Sequence, residues 1–245
     1  MKNILIVSDN HRLTEYFRSE FESQNINHVA NAAYKYSSIN KDPSAMKGLG
    51  ATAIDMKNPS DVAYAKENFD LIFSLHCKQI FPADLVSSVT CINIHPGLNP
   101  HNRGWYPQVF SIINGMPAGA TIHLMDEHID HGAIFAQERV NISQADTSLD
   151  VYEKVIFAEK KLIKKYLIPI ISGDLTAQRA LPEGNYNSIK DFKNLCSLNM
   201  DSIGSLREHI NLLRALSHGE FKNAYFLSEA GKKIFVRVVL EESSS

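Results

Sequence analysis

Three polar side chains set in turns stand out from the chain. Asn93 and His95 lie in Asn93-Ile94-His95-Pro96, and Asp130 lies in Asp130-His131-Gly132. A carboxamide can donate a hydrogen bond to an oxygen that gains negative charge. An imidazole can carry a proton. A carboxylate can hold that imidazole or take the proton onward. Together these are the parts needed to move an acyl group onto an amine. Each residue alone has a plainer reading, because Asn and Asp often cap turns. The ordered set is what points to catalysis.

The elements that must position these groups follow from hydrophobic patterning. Ile4-Leu5-Ile6-Val7 is an unbroken apolar run, the pattern of a strand covered on both faces of a parallel sheet. Ser8-Asp9-Asn10 closes it and caps a helix with Leu13, Phe17 and Phe21 four residues apart. Further strands are expected at 28–30, 51–54, 71–75 and 90–94, and residues 31–58 are otherwise poorly patterned. Helices are expected at 62–68, 81–86, 107–114, 149–171 and 205–216. Residues 118–125 and 134–140 read as an antiparallel pair with Asp130 in the loop between them. Residues 224–227 and 234–240 read as a hairpin turning at Glu229-Ala230-Gly231-Lys232. This predicts an α/β fold with a doubly wound, mainly parallel sheet, followed by a small C-terminal helix plus β-hairpin. A Gly-, Pro-, Asn- and Ser-containing stretch at 173–190 divides the chain into 1–180 and 181–245. The second part has few apolar anchors, so it is expected to pack on the first or on a second subunit. Asn93 and His95 fall at the carboxyl end of their strand, the edge where open α/β sheets bind ligands.

Composition narrows the classes. The chain has 245 residues, 44% apolar and 21% charged, with a net charge of −2. That balance disfavours a broad nucleic-acid footprint but leaves room for a local pocket for a phosphorylated small molecule. The three cysteines are an odd number without a C-x-x-C pair, which speaks against a disulfide framework or zinc ribbon and for a reducing cytoplasm. No signal peptide is visible, and no apolar run reaches the ~18 residues of a membrane span. The histidines between 95 and 131 are irregularly spaced and lack H-E-x-x-H, so no metal centre is expected. The turn after the first strand lacks G-x-G-x-x-G, so a dinucleotide is not the expected guest.

The order Asn93-Ile94-His95-Pro96-Gly97-Leu98, Arg103-Gly104, Pro107, Gly119-Ala120-Thr121-Ile122-His123 and Asp130-His131-Gly132 resembles the folate-dependent formyltransferases. That family includes the glycinamide ribonucleotide and methionyl-tRNA enzymes. The longer string from His95 to Gln108, with Leu213-Arg214-Ala215-Leu216-Ser217-His218-Gly219 and Lys222-Asn223-Ala224-Tyr225-Phe226, is more similar to the sugar N-formyltransferases. The resemblance implies a Rossmann-like fold, a homodimer, and formyl transfer from 10-formyltetrahydrofolate to a dTDP-linked amino sugar. The expected acceptor is the 4-amino-4,6-dideoxyglucose isomer, made for surface polysaccharide such as O-antigen. A 3-amino sugar, methionyl-tRNA, and a non-catalytic nucleotide- or folate-binding regulator are the alternatives.

The resemblance also implies roles. Asn93 would stabilise the oxyanion. His95 would act as base toward the amine or polarise the formyl oxygen. Asp130 would orient His95 and relay protons toward the leaving folate nitrogen. The folate pocket would draw on Gln79, Ile80, Phe81, Leu85, Met125, Asp126 and His128, with core packing as the alternative for Phe81 and Leu85. The nucleotide-sugar would meet Ser8, Asp9 and Asn10, with Lys78 and Arg103-Gly104 near the pyrophosphate. Trp105 or Tyr225 would stack on thymine; core and hairpin packing are their respective alternatives. His123 reads as a structural histidine within its strand.

Overall fold

The computed structural model describes residues 1–178 and 182–243. The chain runs β1 (Lys2–Ser8), α1 (His11–Ser23), β2 (Ala30–Ser37), α2 (Ser44–Gly48), β3 (Thr52–Ile54), α3 (Pro59–Asn68), β4 (Leu71–Leu75), α4 (Ala83–Ser88) and β5 (Thr90–His95). It continues through β6 (Arg103–Gly104), α5 (Pro107–Asn114), β7 (Ala118–Leu124), β8 (Ile134–Val140) and α6 (Ser148–Ser172). The C-terminal part adds β9 (Tyr186–Asn187), α7 (Ile189–Cys196), α8 (Leu206–Leu216), β10 (Tyr225–Leu227) and β11 (Lys233–Phe235).

Seven strands form one sheet in the order β3-β2-β1-β4-β5-β7-β8. β1 to β5 run parallel, and β7 and β8 add antiparallel. In β1, Ile4 and Ile6 pack with Leu13 and Phe17 of α1 and with Val155 and Leu162 of α6. Leu5 and Val7 point the other way, into a second cluster with Val62 of α3 and Leu85 of α4. Both faces of the strand are covered, which is why its sequence shows no alternation. The chain builds outward from β1 to β3, then returns to the other side of β1 as β4. The carboxyl ends of β1 and β4 therefore flank the topological switch point.

Local signals hold the helices in place. The Asn10 side-chain oxygen caps α1 by accepting from the Leu13 amide at 3.2 Å. α6 opens with a reciprocal Thr147–Asp150 capping box and ends at Gly173, whose φ of 87° carries no Cβ penalty for glycine. Along its buried stripe of Val151, Val155, Leu162 and Ile163 sits one acid, Glu159, fully enclosed.

Several stretches differ from the sequence expectation; α2 was not foreseen, and the strand expected at 234–240 is β11, only Lys233–Phe235. The strand expected at 28–30 is β2, displaced to Ala30–Ser37, while His28 lies in a short 3-10 turn. β2 is only partly buried and carries alanines, an asparagine and a lysine, so it lacks the apolar run that marks β1 and β4. α7 was not expected either; it is short, with only Phe192 and Cys196 buried, and it is started by a Ser188–Asp191 capping box. The C-terminal part does not stand apart. Phe192, Cys196, Ala215, Leu216 and Ala224 join the main core, and α8 packs on α5. The expected boundary at 180/181 lies outside the described residues. Among the described residues no helix is long and apolar enough to cross a membrane.

Candidate active site

β5 and β7 bring the polar residues together. The strand period of two puts Asn93 and His95 on one face, and the register pairs Asn93 with His123 and His95 with Thr121. Asp130 reaches back from the β7–β8 loop with a φ of 50°, a left-handed conformation that is uncommon outside glycine. Gly132 permits that return, because a Cβ there would lie 2.0 Å from the Leu124 carbonyl oxygen. Asp130 Oδ1 accepts from Asn93 Nδ2 at 3.0 Å and lies 3.4 Å from His95 Nδ1. Its Oδ2 accepts from the Gly104 amide at 3.0 Å.

His123, expected to be a structural residue, is the fourth member of this cluster. Its Nδ1 donates to the Leu124 carbonyl, so Nε2 carries the lone pair. That Nε2 is 3.4 Å from Asn93 Nδ2 and 3.6 Å from Asp130 Oδ1. Both amide hydrogens of Asn93 therefore have protein partners. To serve an oxyanion, Asn93 must exchange one of them for the substrate oxygen.

The electrostatics define the protonation states. Burial pushes the His95 imidazole down to about 4, against the opposing pull of Asp130, so His95 is neutral at physiological pH. Burial raises the Asp130 carboxyl, but His95 and the Gly104 N–H outweigh it and hold the group below the usual carboxylate range. With Asp130 beside Nδ1, the proton of His95 belongs on Nδ1 and the lone pair on Nε2. Nε2 is buried with no hydrogen-bond partner among the described residues. A Cβ at Gly97 would come within 2.4 Å of it, so glycine there leaves the nitrogen room. A buried, unpartnered lone pair costs stability, and a reacting group would satisfy it.

The other expected contacts vary in their surroundings. Phe81 and Leu85 are buried in the second cluster with Met125 packed against it, while Ile80 is exposed beside them. Gln79 clasps the loop after β3, accepting from the Met56 amide and donating to Asp55. Asp126 accepts from the His128 amide and from His131 Nδ1, and His128 itself is exposed. Ser8 is buried and exchanges hydrogen bonds with Asn10. The Asp9 carboxylate accepts from the Ser37 amide and hydroxyl and from the Lys78 amide, so it ties three strand ends together. The Lys78 side chain is exposed. Arg103, expected near pyrophosphate, donates to the Ile129 and Gly184 carbonyls and to Glu183, clamping the loop next to Asp130, and its Nε has no partner among the described residues. Trp105 is 37% exposed, an open aromatic face beside that clamp. Tyr225 stacks edge-on with Phe235 and lies under the Lys233 ammonium, as expected of hairpin packing.

Sequence reasoning passed over His76 and Glu159. His76 follows β4 with a φ of 52°, and its Nε2 lies 2.8 Å from Glu159 Oε1. The signals were present: His76 ends a clear buried strand, and Glu159 is a charge at an apolar helical position.

A mostly parallel sheet, wound on both faces and carrying an Asn–His–Asp cluster at its carboxyl edge, defines a group-transfer enzyme of the formyltransferase type. A family model described as formyl transferase matches residues 2–167, and one described as N-formyltransferase dimerization C-terminal domain matches residues 191–242. The chain belongs to the formyl transferase family. It is 47% identical over 180 residues to dTDP-4-amino-4,6-dideoxyglucose formyltransferase of Mycobacterium tuberculosis, covering 74% of this chain and 77% of that one. A sugar N-formyltransferase from a Shewanella species superposes with a TM-score of 0.97 at 50% identity over 100% of both chains. A 4-N formyltransferase from Francisella tularensis gives 0.92 at 45% identity over 99% of each.

Proposed function

We propose that this chain transfers the formyl group of 10-formyltetrahydrofolate to the amine of a dTDP-linked 4-amino-4,6-dideoxyglucose, making a formamido sugar for surface polysaccharide. One observation carries the reading: Asp130 joins Asn93 to the Nδ1 side of His95 and leaves His95 Nε2 buried with a free lone pair. The 47% identity to the mycobacterial relative supports the choice of acceptor.

The folate supplies an electrophilic formyl carbon. His95 Nε2 takes a proton from the nitrogen that attacks it and returns that proton to the departing folate nitrogen. Asp130 stabilises the imidazolium formed in between. Asn93 turns one amide hydrogen to the oxygen that gains charge. The apolar wall of Phe81, Leu85 and Met125, with Ile80 at its rim, would hold the folate ring. Asn10 and Trp105 would meet the nucleotide-sugar.

The C-terminal part supports a homodimer. It exposes Ile203, Leu206, Phe221, Ile234, Phe235 and Val239, and it matches a domain described as a dimerization domain. Three unpaired cysteines support a reducing cytoplasm. The test is incubation with 10-formyltetrahydrofolate and a panel of dTDP-amino sugars, read by mass spectrometry for a formyl adduct. Formylation of the 4-amino-4,6-dideoxyglucose compound is expected. Formylation of the 3-amino isomer alone would move the acceptor, and no adduct with any sugar would overturn the reading.

A further inference from the structure

The proton count of amine formylation leaves one proton unassigned. A sugar amine at neutral pH arrives as an ammonium with three N–H bonds, and the formamide keeps one. One proton goes to the folate nitrogen through His95. The other must leave before attack, because an ammonium has no lone pair. His95, held at about 4 by its burial, is a weak acceptor for an ammonium proton.

A second histidine–carboxylate pair stands beside it. The β4–β5 register pairs Leu75 with Ile94, so His76 and His95 are the next neighbours at the carboxyl edge of the sheet. His76 also lies at the switch point where β1 and β4 end. Its left-handed backbone is a strained conformation that the surroundings enforce. Its side chain is held by Glu159 at 2.8 Å. Glu159 is fully buried, its Oε2 has no partner among the described residues, and burial raises its carboxyl against the pull of His76. The tautomer of His76 follows from the helix cap. Asn10 Oδ1 is fixed by the Leu13 amide, so its Nδ2 points at His76 Nδ1 at 3.2 Å. Nδ1 is then the lone pair and Nε2–H donates to Glu159. Asn10 Nδ2 also donates to Tyr152 OH at 3.0 Å, so it stays partnered when Nδ1 turns to a substrate. The His76 side chain is 14% exposed, which leaves it an outlet.

We propose that His76, backed by Glu159, is the general base that takes the first proton from the sugar ammonium. The inference rests on the sugar-formyltransferase reading above. The N–H bond breaks, its electron pair stays on the sugar nitrogen as the nucleophile, and the proton forms a bond to His76 Nδ1. Glu159 stabilises the resulting imidazolium, and the proton then passes to solvent. Glu159 does not touch the substrate and acts as a positioning residue. The titratable groups facing His76 are Glu159 and Tyr152 from α6 and His95 from β5. Cys77 and Lys78 follow it in the chain, Asp9 holds the Lys78 amide, and the Arg12–Glu153 pair lies beyond Tyr152.

The test compares the parent with His76→Gln across pH, using dTDP-4-amino-4,6-dideoxyglucose. At neutral pH, kcat/KM of the variant should fall by about a hundredfold, the scale of general-base catalysis. The deficit should shrink as pH rises above the amine's own pKa, because the substrate then arrives already deprotonated. A deficit of constant size at every pH, with an active parent, overturns the inference. Should His76→Gln fail to fold, Glu159→Gln carries the same pH comparison with the same two outcomes. A parent that formylates no amino sugar overturns the functional reading, and this inference falls with it.

Discussion

Replacing Asp130 by asparagine removes a charge from the cluster and nearly preserves its shape. Asp130 Oδ1 lies 3.4 Å from His95 Nδ1, with the two side chains 10% and 4% exposed. Unit charges at that separation interact by 332/(20 × 3.4), about 5 kcal/mol, at the effective dielectric of about 20 that suits protein sites. This is the interaction that the His95 imidazolium gains when it receives a proton. Reorganisation of the new amide recovers part of it. A loss of about 3 to 4 kcal/mol corresponds to a kcat lower by about two to three orders of magnitude. The amide also presents a nitrogen to one of the donors that Asp130 now accepts, Asn93 Nδ2 or the Gly104 N–H. Folding stability should therefore drop by about 1 to 3 kcal/mol. The assay is formyl-adduct formation under saturating substrates, with calorimetric titration of the dTDP-sugar and a urea melt on the same protein. The expected pattern is a large loss in kcat with binding close to that of the parent. A folded Asp130→Asn protein with unchanged kcat would refute the reasoning, because the carboxylate would then have no imidazolium to stabilise. Collapse of binding would assign Asp130 a structural role.

Three further predictions follow from the same geometry. His95 is held at about 4 in the folded protein, below its ordinary value of 6.5, so the unfolded chain takes up the proton first as pH falls. The neutral imidazole thus contributes stability that is complete above about pH 6.5 and is lost toward pH 4, on the order of 3 kcal/mol. Urea melts across that window should show a shallower pH slope for His95→Gln than for the parent. Arg103→Lys breaks the fork onto Ile129, Glu183 and Gly184, and should lower thermal stability and kcat while leaving dTDP affinity nearly unchanged. Selective loss of dTDP binding would return Arg103 to the pyrophosphate. Trp105→Ala should weaken dTDP binding by about tenfold, the scale of base–aromatic stacking, and Trp105→Phe should weaken it less. Equal affinity in all three proteins would remove Trp105 from the nucleotide site.

Much of the fold was legible because buried parallel strands advertise themselves. Leu71–Leu75 needed only its apolar run, and α5 its Pro-led apolar stripe. β2 was harder to see because a partly exposed strand can be built from small and polar residues. At Asn93, His95 and Asp130 ordered spacing joined residue chemistry, and the three side chains meet in space. Ligand contacts were less legible. Asp9, Gln79 and Arg103 have residue types that suit phosphates or pterins, yet the Asp9 carboxylate, the Gln79 amide and the two terminal nitrogens of Arg103 are engaged by neighbouring loops.

The sequence by itself determined the sheet's parallel core and singled out Asn93, His95 and Asp130, which meet at its carboxyl edge. These follow from local patterning and from residue types that few other tasks require in that order. Only the tertiary structure decided which partners each polar atom keeps. His123 joins Asn93 because two antiparallel strands share a register, and His76 meets Glu159 because the fold brings α6 to the residue that follows β4. Those meetings span 30 and 83 residues of chain, and hydrogen bonding at such separations is set by packing, which no local pattern encodes.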